Sequence, residues 1–279
     1  MGTLLSSCSE LNIEKTFECG QCFRWNPDDD GGYFGVASAR TLRVWNEGEG
    51  VFCSASPEEL PFWRDYFDLD SDYPDASVFR EPKYLACCAE YGAGIRILRQ
   101  EPWEALCSFI ISQCNNIPRI KGIVERLCAL FGDELSPGVF SFPEASRLAP
   151  LEPGSLAQLR CGYRARYIID AARAVDSGEL SFDELRTLSP KSALHRITYL
   201  NGVGVKVASC FLLYGLHMME SFPIDVWMAR ALREHFPPDF SPESLGSYAG
   251  LAQQYIFYYA RSSATKQLTL PPELDYNDR

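Results

Sequence analysis

The chain has 279 residues, 46% of them hydrophobic, and a formal net charge of −11. This composition allows a sizeable core, and the net acidity excludes indiscriminate binding of nucleic acid, because attraction to phosphate needs positive potential. No stretch reaches the length of a membrane span, and the first seven residues lack the features of a signal peptide. We therefore expect an intracellular protein without membrane association, in the cytoplasm or nucleoid of a bacterium or the nucleus of a eukaryote.

The eleven cysteines predict reduced core thiols, because most of them lie within apolar helical patterns. Cys19 and Cys22 form a C-x-x-C pair, but no second pair with zinc-ligand spacing accompanies them. Segment 68–79 begins like a calcium loop, yet its sixth residue is Tyr73 and its twelfth is Phe79. We therefore expect no metal site. A zinc or redox protein built on Cys19 and Cys22 stays open as an alternative.

The N-terminal third predicts an antiparallel meander, because β-rich runs alternate with turn-forming Asp and Gly clusters. The predicted strands cover about 21–25, 33–39, 41–45 and 51–53. A capping box that starts at Ser56 opens a predicted helix through about residue 66, and a second predicted helix covers 84–91.

From Pro102 onward the apolar periodicity predicts helices. Shorter helices separate the main ones, which cover about 102–114, 117–131, 164–175, 226–235 and 248–261, with a hairpin pair at 190–216. The predicted fold class is α+β, with an antiparallel β-rich domain and flanking helices over 1–99 and an all-helical domain over 100–279. The stretch from Ser262 is expected to be a loose tail.

Charge is unevenly distributed along the chain. Acidic residues concentrate in the first third of the chain, whereas basic residues form short groups between positions 119 and 233. These groups are Arg119/Lys121/Arg126, Arg160/Arg164/Arg166 and Arg230/Arg233. A local basic face with modest, salt-sensitive affinity for nucleic acid is therefore expected.

The most informative feature is Lys206, which lies at the start of the second helix of the hairpin pair. Two glycines in the preceding turn permit a tight reversal and let backbone N–H groups approach a phosphate. The following helix is apolar, so the lysine stem packs against a core element, where desolvation favours the neutral, nucleophilic amine. Asp225 is the predicted N-cap of the next long helix. The predicted hairpin for the DNA backbone comprises Asn201, Gly202, Val203, Gly204 and Lys206.

With these residues, the chain resembles the helix-hairpin-helix DNA glycosylases, and within them the 8-oxoguanine DNA glycosylases/AP lyases, over about 11–261. The resemblance implies that Lys206 attacks C1′ to form a Schiff base, which permits β-elimination, and that Asp225 stabilises positive charge. Asn201 replaces the proline that is usual in the turn, and Asn-Gly is itself a turn former. The expected partner of this monomer is double-stranded DNA that contains oxidised guanine.

No cofactor is required by this chemistry, although a monovalent or divalent cation is possible where the hairpin meets a phosphate. The last cysteine is Cys210. Its position excludes the C-terminal four-cysteine iron–sulfur motif of related enzymes of the endonuclease III type.

A base pocket is predicted around the last helix. Gln253 and Phe257 share one helical face, a spacing that by itself equally fits a core face. The resemblance implies that Gln253 recognises the Watson–Crick edge of an extruded base, that Phe257 stacks on the purine and that Cys210 lies on its opposite face. It also implies that the Gly20 carbonyl accepts the N7–H that oxidation of guanine creates.

Two further segments resemble those that fill the gap left by the extruded nucleotide. The candidates for contact with the opposite base and for the stack wedge are Cys114, Asn115, Asn116, Arg119, Tyr163 and Arg164. The resemblance implies that the arginines donate to an unpaired cytosine and that the tyrosine wedges into the stack. Cys114 stands where the family has an asparagine, and Trp227 where it has a phosphate-contacting histidine.

Two other functions are compatible with parts of this pattern. One is a helix-hairpin-helix glycosylase for a different damaged base, which without a catalytic lysine would use water. The other is a non-catalytic DNA-binding module, which would lack the pocket residues.

Overall fold

The computed structural model describes residues 2–266. Over that range the strands are β1 (Thr3–Ser7), β2 (Trp25–Pro27), β3 (Tyr33–Ala37), β4 (Arg40–Glu47), β5 (Gly50–Cys53), β6 (Glu134–Ser136) and β7 (Val139–Phe140). The first six α-helices are α1 (Ile13–Glu18), α2 (Leu60–Tyr66), α3 (Lys83–Gly92), α4 (Pro102–Ser112), α5 (Ile117–Phe131) and α6 (Ala145–Leu148). The next six are α7 (Arg164–Asp176), α8 (Phe182–Thr187), α9 (Pro190–Ile197), α10 (Val205–Tyr214), α11 (Val226–His235) and α12 (Ala249–Lys266).

The N-terminal part contains a five-stranded antiparallel sheet with the order β1-β5-β4-β3-β2. Its core is aromatic: Phe17 and Trp25 stack with ring centroids 4.2 Å apart, and Trp63 and Phe67 pack beside them. A helical body follows, so the predicted α+β class is confirmed. The division at residue 99 stays a prediction.

Segment 21–24, which was predicted to be part of a strand, is a loop instead. The side chain of Gln21, rather than pairing of the backbone with a neighbouring strand, holds this loop. The side chain is fully buried and forms hydrogen bonds through both its nitrogen and its oxygen. Its Nε2 donates to the carbonyls of Thr16 and Arg96 at 2.9 and 2.8 Å, and its Oε1 accepts from the Leu98 N–H at 2.9 Å. The sequence pattern also missed β1, α1 and the β6–β7 hairpin.

The loop after α1 joins the two cores. Cys19 and Phe23 belong to the core of the helical body, whereas Cys22 belongs to the core of the sheet. The helix α3 packs on α12, where a Cβ on Gly92 would lie 2.4 Å from the Tyr255 ring. These contacts bring Gly20 from the N-terminal part against the last helix.

The helices that carry the candidate site begin and end close to the predicted positions. Helices α5 and α11 have the predicted bounds, but α4 ends at Ser112 because Cys114 adopts a left-handed backbone with φ of +47°. Helix α12 continues through Lys266, beyond the predicted end near 261. The rest of the predicted tail, residues 267–279, lies outside the described residues.

Candidate active site

The hairpin turn between α9 and α10 packs against α7. Gly202 has φ of +77°, and a Cβ there would lie 2.2 Å from the Tyr167 ring, so only glycine fits. Asn201 Nδ2 donates to Asp170 Oδ2 at 2.7 Å, a bond that a proline could not form. Gly204 is the N-cap of α10 and supplies no side-chain cap, which leaves the first N–H groups of that helix open toward an anion.

Lys206 lies in the first turn of α10 and is half-buried. Its Nζ donates to Ser112 Oγ at 3.3 Å and lies 5.6 Å from the centroid of the Phe109 ring, both on α4. The thiol of Cys210, one turn further along α10, lines the same recess as Lys206. Burial raises the pKa of that thiol, so it remains protonated beside the amine.

Asp225 is the N-cap of α11, as its position in the sequence predicted. Its Oδ1 accepts from the N–H groups of Trp227 and Met228 at 3.0 and 2.9 Å. Both bonds use the same oxygen, so Oδ2 stays available to a ligand. The cap orients the carboxylate toward the cavity that Lys206 lines.

A cavity of about 400 Å³ contains both groups. The residues that line it are Gly20, Phe23, Phe109, Ser112, Asn115, Asn116, Ile117, Pro118, Ile120, Lys206, Asp225, Trp227, Phe257 and Arg261. An inner recess of about 40 Å³ adjoins it and is lined by Gly20, Phe109, Lys206, Cys210, Tyr214, Pro223, Asp225, Gln253 and Phe257. The recess has room for roughly three water molecules, so a purine can enter only if the lining side chains separate.

The predicted base-pocket residues come together in this recess. Gln253 is buried, and the Tyr214 hydroxyl lies 3.1 Å from its Oε1. Gly20 has φ of +82°, and a Cβ there would lie 3.1 Å from Cε1 of Phe257. Glycine therefore permits both the left-handed backbone and the close approach of the chain to the aromatic ring.

The candidates for the opposite base lie at the junction of α4, α5 and α7. Tyr163 is 53% exposed and packs against Tyr167 and the Arg164 guanidinium, as a rigid wedge requires. Arg119 is exposed and donates to the Arg160 carbonyl at 3.4 Å.

Arg164, by contrast, is buried and donates to the carbonyls of Gln113, Cys114 and Cys161. These bonds hold the turn after α4 in place, and they occupy much of the hydrogen-bond donor capacity of the Arg164 guanidinium. A direct contact between Arg164 and a base stays a prediction, and it would require exchange of some of these bonds.

The three residues of that turn differ in their surroundings. Cys114 is exposed. Asn115 Nδ2 donates to the Ile111 carbonyl at 3.1 Å, and Asn116 Oδ1 caps α5 by accepting from the Arg119 N–H at 3.0 Å. Both asparagine side chains are therefore engaged within the protein.

Several residues of the site carry no recognisable signal in the sequence. Ser112 and Phe109, which hold the Lys206 amine, looked like ordinary members of an apolar helix. Exposed apolar side chains also flank the two reactive residues in the sequence: Val205 precedes Lys206, and Ile224 and Val226 flank Asp225, with exposures of 65%, 45% and 78%.

The two cysteines of the C-x-x-C pair belong to different cores, Cys19 to that of the helical body and Cys22 to that of the sheet. Cys19 and Cys22 are buried free thiols, and burial raises the pKa of Cys19 to about 12 and that of Cys22 well above its ordinary value. Thiols that stay protonated are poor nucleophiles. Within residues 2–266, no group of three His, Cys, Asp or Glu side chains could hold a metal ion, and no helix is long and apolar enough to cross a bilayer.

Comparison with known proteins gives consistent matches along the chain. Residues 3–106 match the model of the 8-oxoguanine DNA glycosylase N-terminal domain, and residues 107–244 match that of the HhH-GPD superfamily base excision DNA repair proteins. The N-glycosylase/DNA lyase of Saccharomyces cerevisiae is 40% identical over 269 residues, which cover 84% of this chain and 71% of that protein. N-glycosylase/DNA lyase OGG1 of Arabidopsis thaliana is 28% identical, with 89% and 77% covered.

Among solved structures, the Clostridium acetobutylicum 8-oxoguanine glycosylase/lyase in complex with double-stranded DNA containing cytosine opposite to 8-oxoG is similar, with a TM-score of 0.87. It is 32% identical, and the match covers 95% of this chain and 98% of that one. The fold and the hairpin-bearing site are those of the HhH-GPD superfamily of base excision DNA repair proteins. Within that superfamily, the chain belongs to the 8-oxoguanine DNA glycosylase family, whose curated members are N-glycosylases/DNA lyases.

Proposed function

We propose that this enzyme excises 8-oxoguanine from duplex DNA, with Lys206 as the nucleophile and Asp225 as the charge-stabilising carboxylate. The observation that carries the proposal is that the Lys206 amine and the Asp225 carboxylate line one cavity, and that the Gly20 backbone reaches the same cavity. Membership of the family makes the chain a base excision DNA repair enzyme.

The proposed reaction begins with attack of the neutral Lys206 amine on C1′ of an extruded nucleotide, which breaks the bond between sugar and base. Positive charge develops on the sugar, and Asp225 would stabilise it through Oδ2, since Oδ1 accepts the two cap hydrogen bonds. The sugar adduct rearranges to a Schiff base, which acidifies the 2′ proton and permits elimination of the 3′ phosphate. No step uses a cofactor, and a cation at the contact between the hairpin and a phosphate is no part of this chemistry.

Lesion selectivity is proposed to come from the Gly20 carbonyl. Oxidation at C8 changes N7 from a hydrogen-bond acceptor into a donor, so a carbonyl oxygen attracts 8-oxoguanine and repels guanine. The support for this role is the left-handed backbone of Gly20 and its van der Waals approach to the Phe257 ring, on which the base would stack.

We propose that the duplex binds at the open N-terminus of α10 and at the exposed basic side chains near the junction of α5 and α7. The net charge of −11 leaves little long-range attraction, so affinity should be modest. It should also fall as salt rises, because the proposed contacts are with phosphates. We further propose that the enzyme acts as a monomer in the compartment that holds the DNA.

A panel of single-lesion duplexes tests the proposal. Each duplex carries 8-oxoguanine, an alkylated purine or undamaged guanine opposite each of the four bases, and the products are resolved as intact strand, abasic strand and nicked strand. We expect excision and nicking at 8-oxoguanine, with cytosine as the favoured opposite base. Excision of the alkylated purine in preference to 8-oxoguanine would contradict the proposed substrate.

A further inference from the structure

Tyr214 lines the inner recess. It lies in the last turn of α10 and is only 4% exposed. Its hydroxyl lies 2.6 Å from Oε1 of Gln254 and 3.1 Å from Oε1 of Gln253. Burial raises the pKa of Tyr214 well above its ordinary value, so the hydroxyl keeps its proton. One hydroxyl proton cannot serve two carboxamide oxygens, so one of the two amides must present its nitrogen to Tyr214.

The orientation of Gln254 is determined by a further bond. Its Nε2 donates to the Cys19 carbonyl at 2.8 Å, and the side chain is fully buried. Oε1 is therefore the Gln254 atom that faces Tyr214, and the short contact receives the hydroxyl proton. The Tyr214 oxygen is then an acceptor toward Gln253. Gln253 satisfies it by placing Nε2 beside Tyr214, an assignment that follows from the hydrogen-bond pattern.

We propose that Tyr214 is a positioning residue that, through its bond to Gln254, orients the Gln253 amide so that Oε1 faces the base in the inner recess. An oxygen in this position accepts from the N1–H and N2–H groups of 8-oxoguanine. The same oxygen opposes the N1 lone pair of 8-oxoadenine. The hydrogen bonds from Gln254 through Tyr214 to Gln253 thus fix the position of Gln253 Oε1. This acceptor distinguishes the two purines at their Watson–Crick edges. This inference rests on the proposed function of the site.

The test is the ratio of single-turnover excision rates for 8-oxoguanine and 8-oxoadenine, each opposite cytosine, for the wild type and Tyr214→Phe. Without the hydroxyl, the Gln253 amide can rotate, and the ratio should fall on the order of tenfold in the variant. The matched control is Tyr255→Phe, which removes a hydroxyl from a buried tyrosine of α12 outside the recess. The control should keep the wild-type ratio.

A second variant, Gln254→Met, keeps the side-chain length but removes the oxygen that receives the Tyr214 proton. The proton then passes to Gln253 Oε1, which turns Nε2 toward the base, so the ratio should fall at least as far as in Tyr214→Phe. This readout also applies if Tyr214→Phe does not fold. A ratio within twofold of the wild type in the folded variants would overturn the inference while leaving 8-oxoguanine excision intact. Failure of the wild type to excise 8-oxoguanine would instead contradict the proposed function.

Discussion

Asp225 combines two roles in one side chain. Its Oδ1 caps α11 through two backbone N–H groups, and the carboxylate also lines the cavity with Lys206. Aspartate and asparagine are comparably good N-caps, whereas alanine is not. Substitutions can therefore separate the structural role from the catalytic one.

Asp225→Asn should slow base excision by roughly two or more orders of magnitude, because a preorganised negative charge is lost. Its melting temperature should stay near the wild-type value, because the amide oxygen still caps the helix. Asp225→Ala should show the same slow chemistry together with a loss of about 1 kcal/mol in the free energy of unfolding. Single-turnover kinetics and thermal unfolding measure the two effects. A destabilised Asp225→Asn that keeps its rate would show that Asp225 is chiefly a cap.

Gly20→Ala should weaken lesion recognition selectively. The new Cβ would lie 3.1 Å from Cε1 of Phe257 on a backbone with φ of +82°, so the carbonyl must twist or the ring must shift. A contact worth on the order of 1 kcal/mol should be lost for 8-oxoguanine, together with the repulsion of guanine. Binding of the folded variant to lesion and undamaged duplexes, compared at one salt concentration, measures the selectivity. Equal losses for both duplexes would place Gly20 outside base recognition.

Among the elements, the turn between α4 and α5 contains Cys114, at the position where the resemblance predicts an asparagine. Cys114 has φ of +47°, a conformation in which asparagine is much better tolerated than cysteine. Asn115 Oδ1 accepts from the Asn116 N–H at 3.1 Å, and Asn116 Oδ1 accepts from the Arg119 N–H at 3.0 Å, so both side-chain oxygens are already engaged. We therefore expect the turn to be a weak acceptor for the N4 amino group of an unpaired cytosine.

Cys114→Asn should raise the cytosine-to-adenine excision ratio several-fold, because it adds one hydrogen bond worth on the order of 1 kcal/mol. The substitution should also stabilise the fold by about 0.5–1 kcal/mol, because asparagine adopts the left-handed backbone conformation at a lower cost than cysteine. Cys114→Ser is the matched control, since it supplies an oxygen without relief of the backbone. An unchanged or reduced ratio in Cys114→Asn, measured in single-turnover assays, would refute this role for position 114.

Helices α5 and α11 were predictable from sequence because their periodicity and their boundary residues agree. Asn116 caps α5 and Gly132 ends it, and Asp225 caps α11, so the observed bounds match the predicted ones. The loop at 21–24 was not predictable, because its β-rich composition reflects burial of Gln21 and Phe23 between two cores rather than strand pairing. Local periodicity carries no information about such long-range bonds.

The candidate site was predictable only in part, and for a related reason. Lys206, Asp225, Gln253 and Phe257 were found from motif spacing together with the family resemblance. The residues that orient them, such as Ser112 and Tyr214, are identified only by side-chain contacts between elements distant in sequence.

At the scale of the whole molecule, a buried polar cluster ties the sheet side of the protein to the helix that carries Lys206. Asp68, after α2, accepts from Ser71 Oγ at 2.7 Å and from Tyr73 OH at 2.8 Å, and it also pairs with Arg99. His217, which follows α10, lies 3.0 Å from the same carboxylate. Burial alone would raise the pKa of Asp68, but these bonds outweigh it and hold the pKa well below its usual range.

The cluster predicts a specific pH dependence of stability. The folded-state pKa of Asp68 lies below the unfolded value of about 3.9, so its contribution is present above about pH 4 and is lost as the pH falls toward the lowered pKa. Urea unfolding at pH 6, 4 and 3 should show a steeper loss of stability for the wild type than for Asp68→Asn. At pH 6, Asp68→Asn should be destabilised on the order of 2–3 kcal/mol. If the free energies of unfolding of the wild type and Asp68→Asn fell in parallel with pH, Asp68 would be excluded as the source of the pH dependence.

Covalent attachment of Lys206 to DNA is measured by borohydride trapping on an 8-oxoguanine duplex, followed by peptide mapping of the adduct. The wild type should be trapped at Lys206, and Lys206→Gln should give no adduct while it retains DNA binding. Lys191→Gln, which removes an exposed lysine from α9, is the control and should be trapped like the wild type. A trapped adduct in Lys206→Gln, or an adduct that maps to another residue in the wild type, would contradict the account.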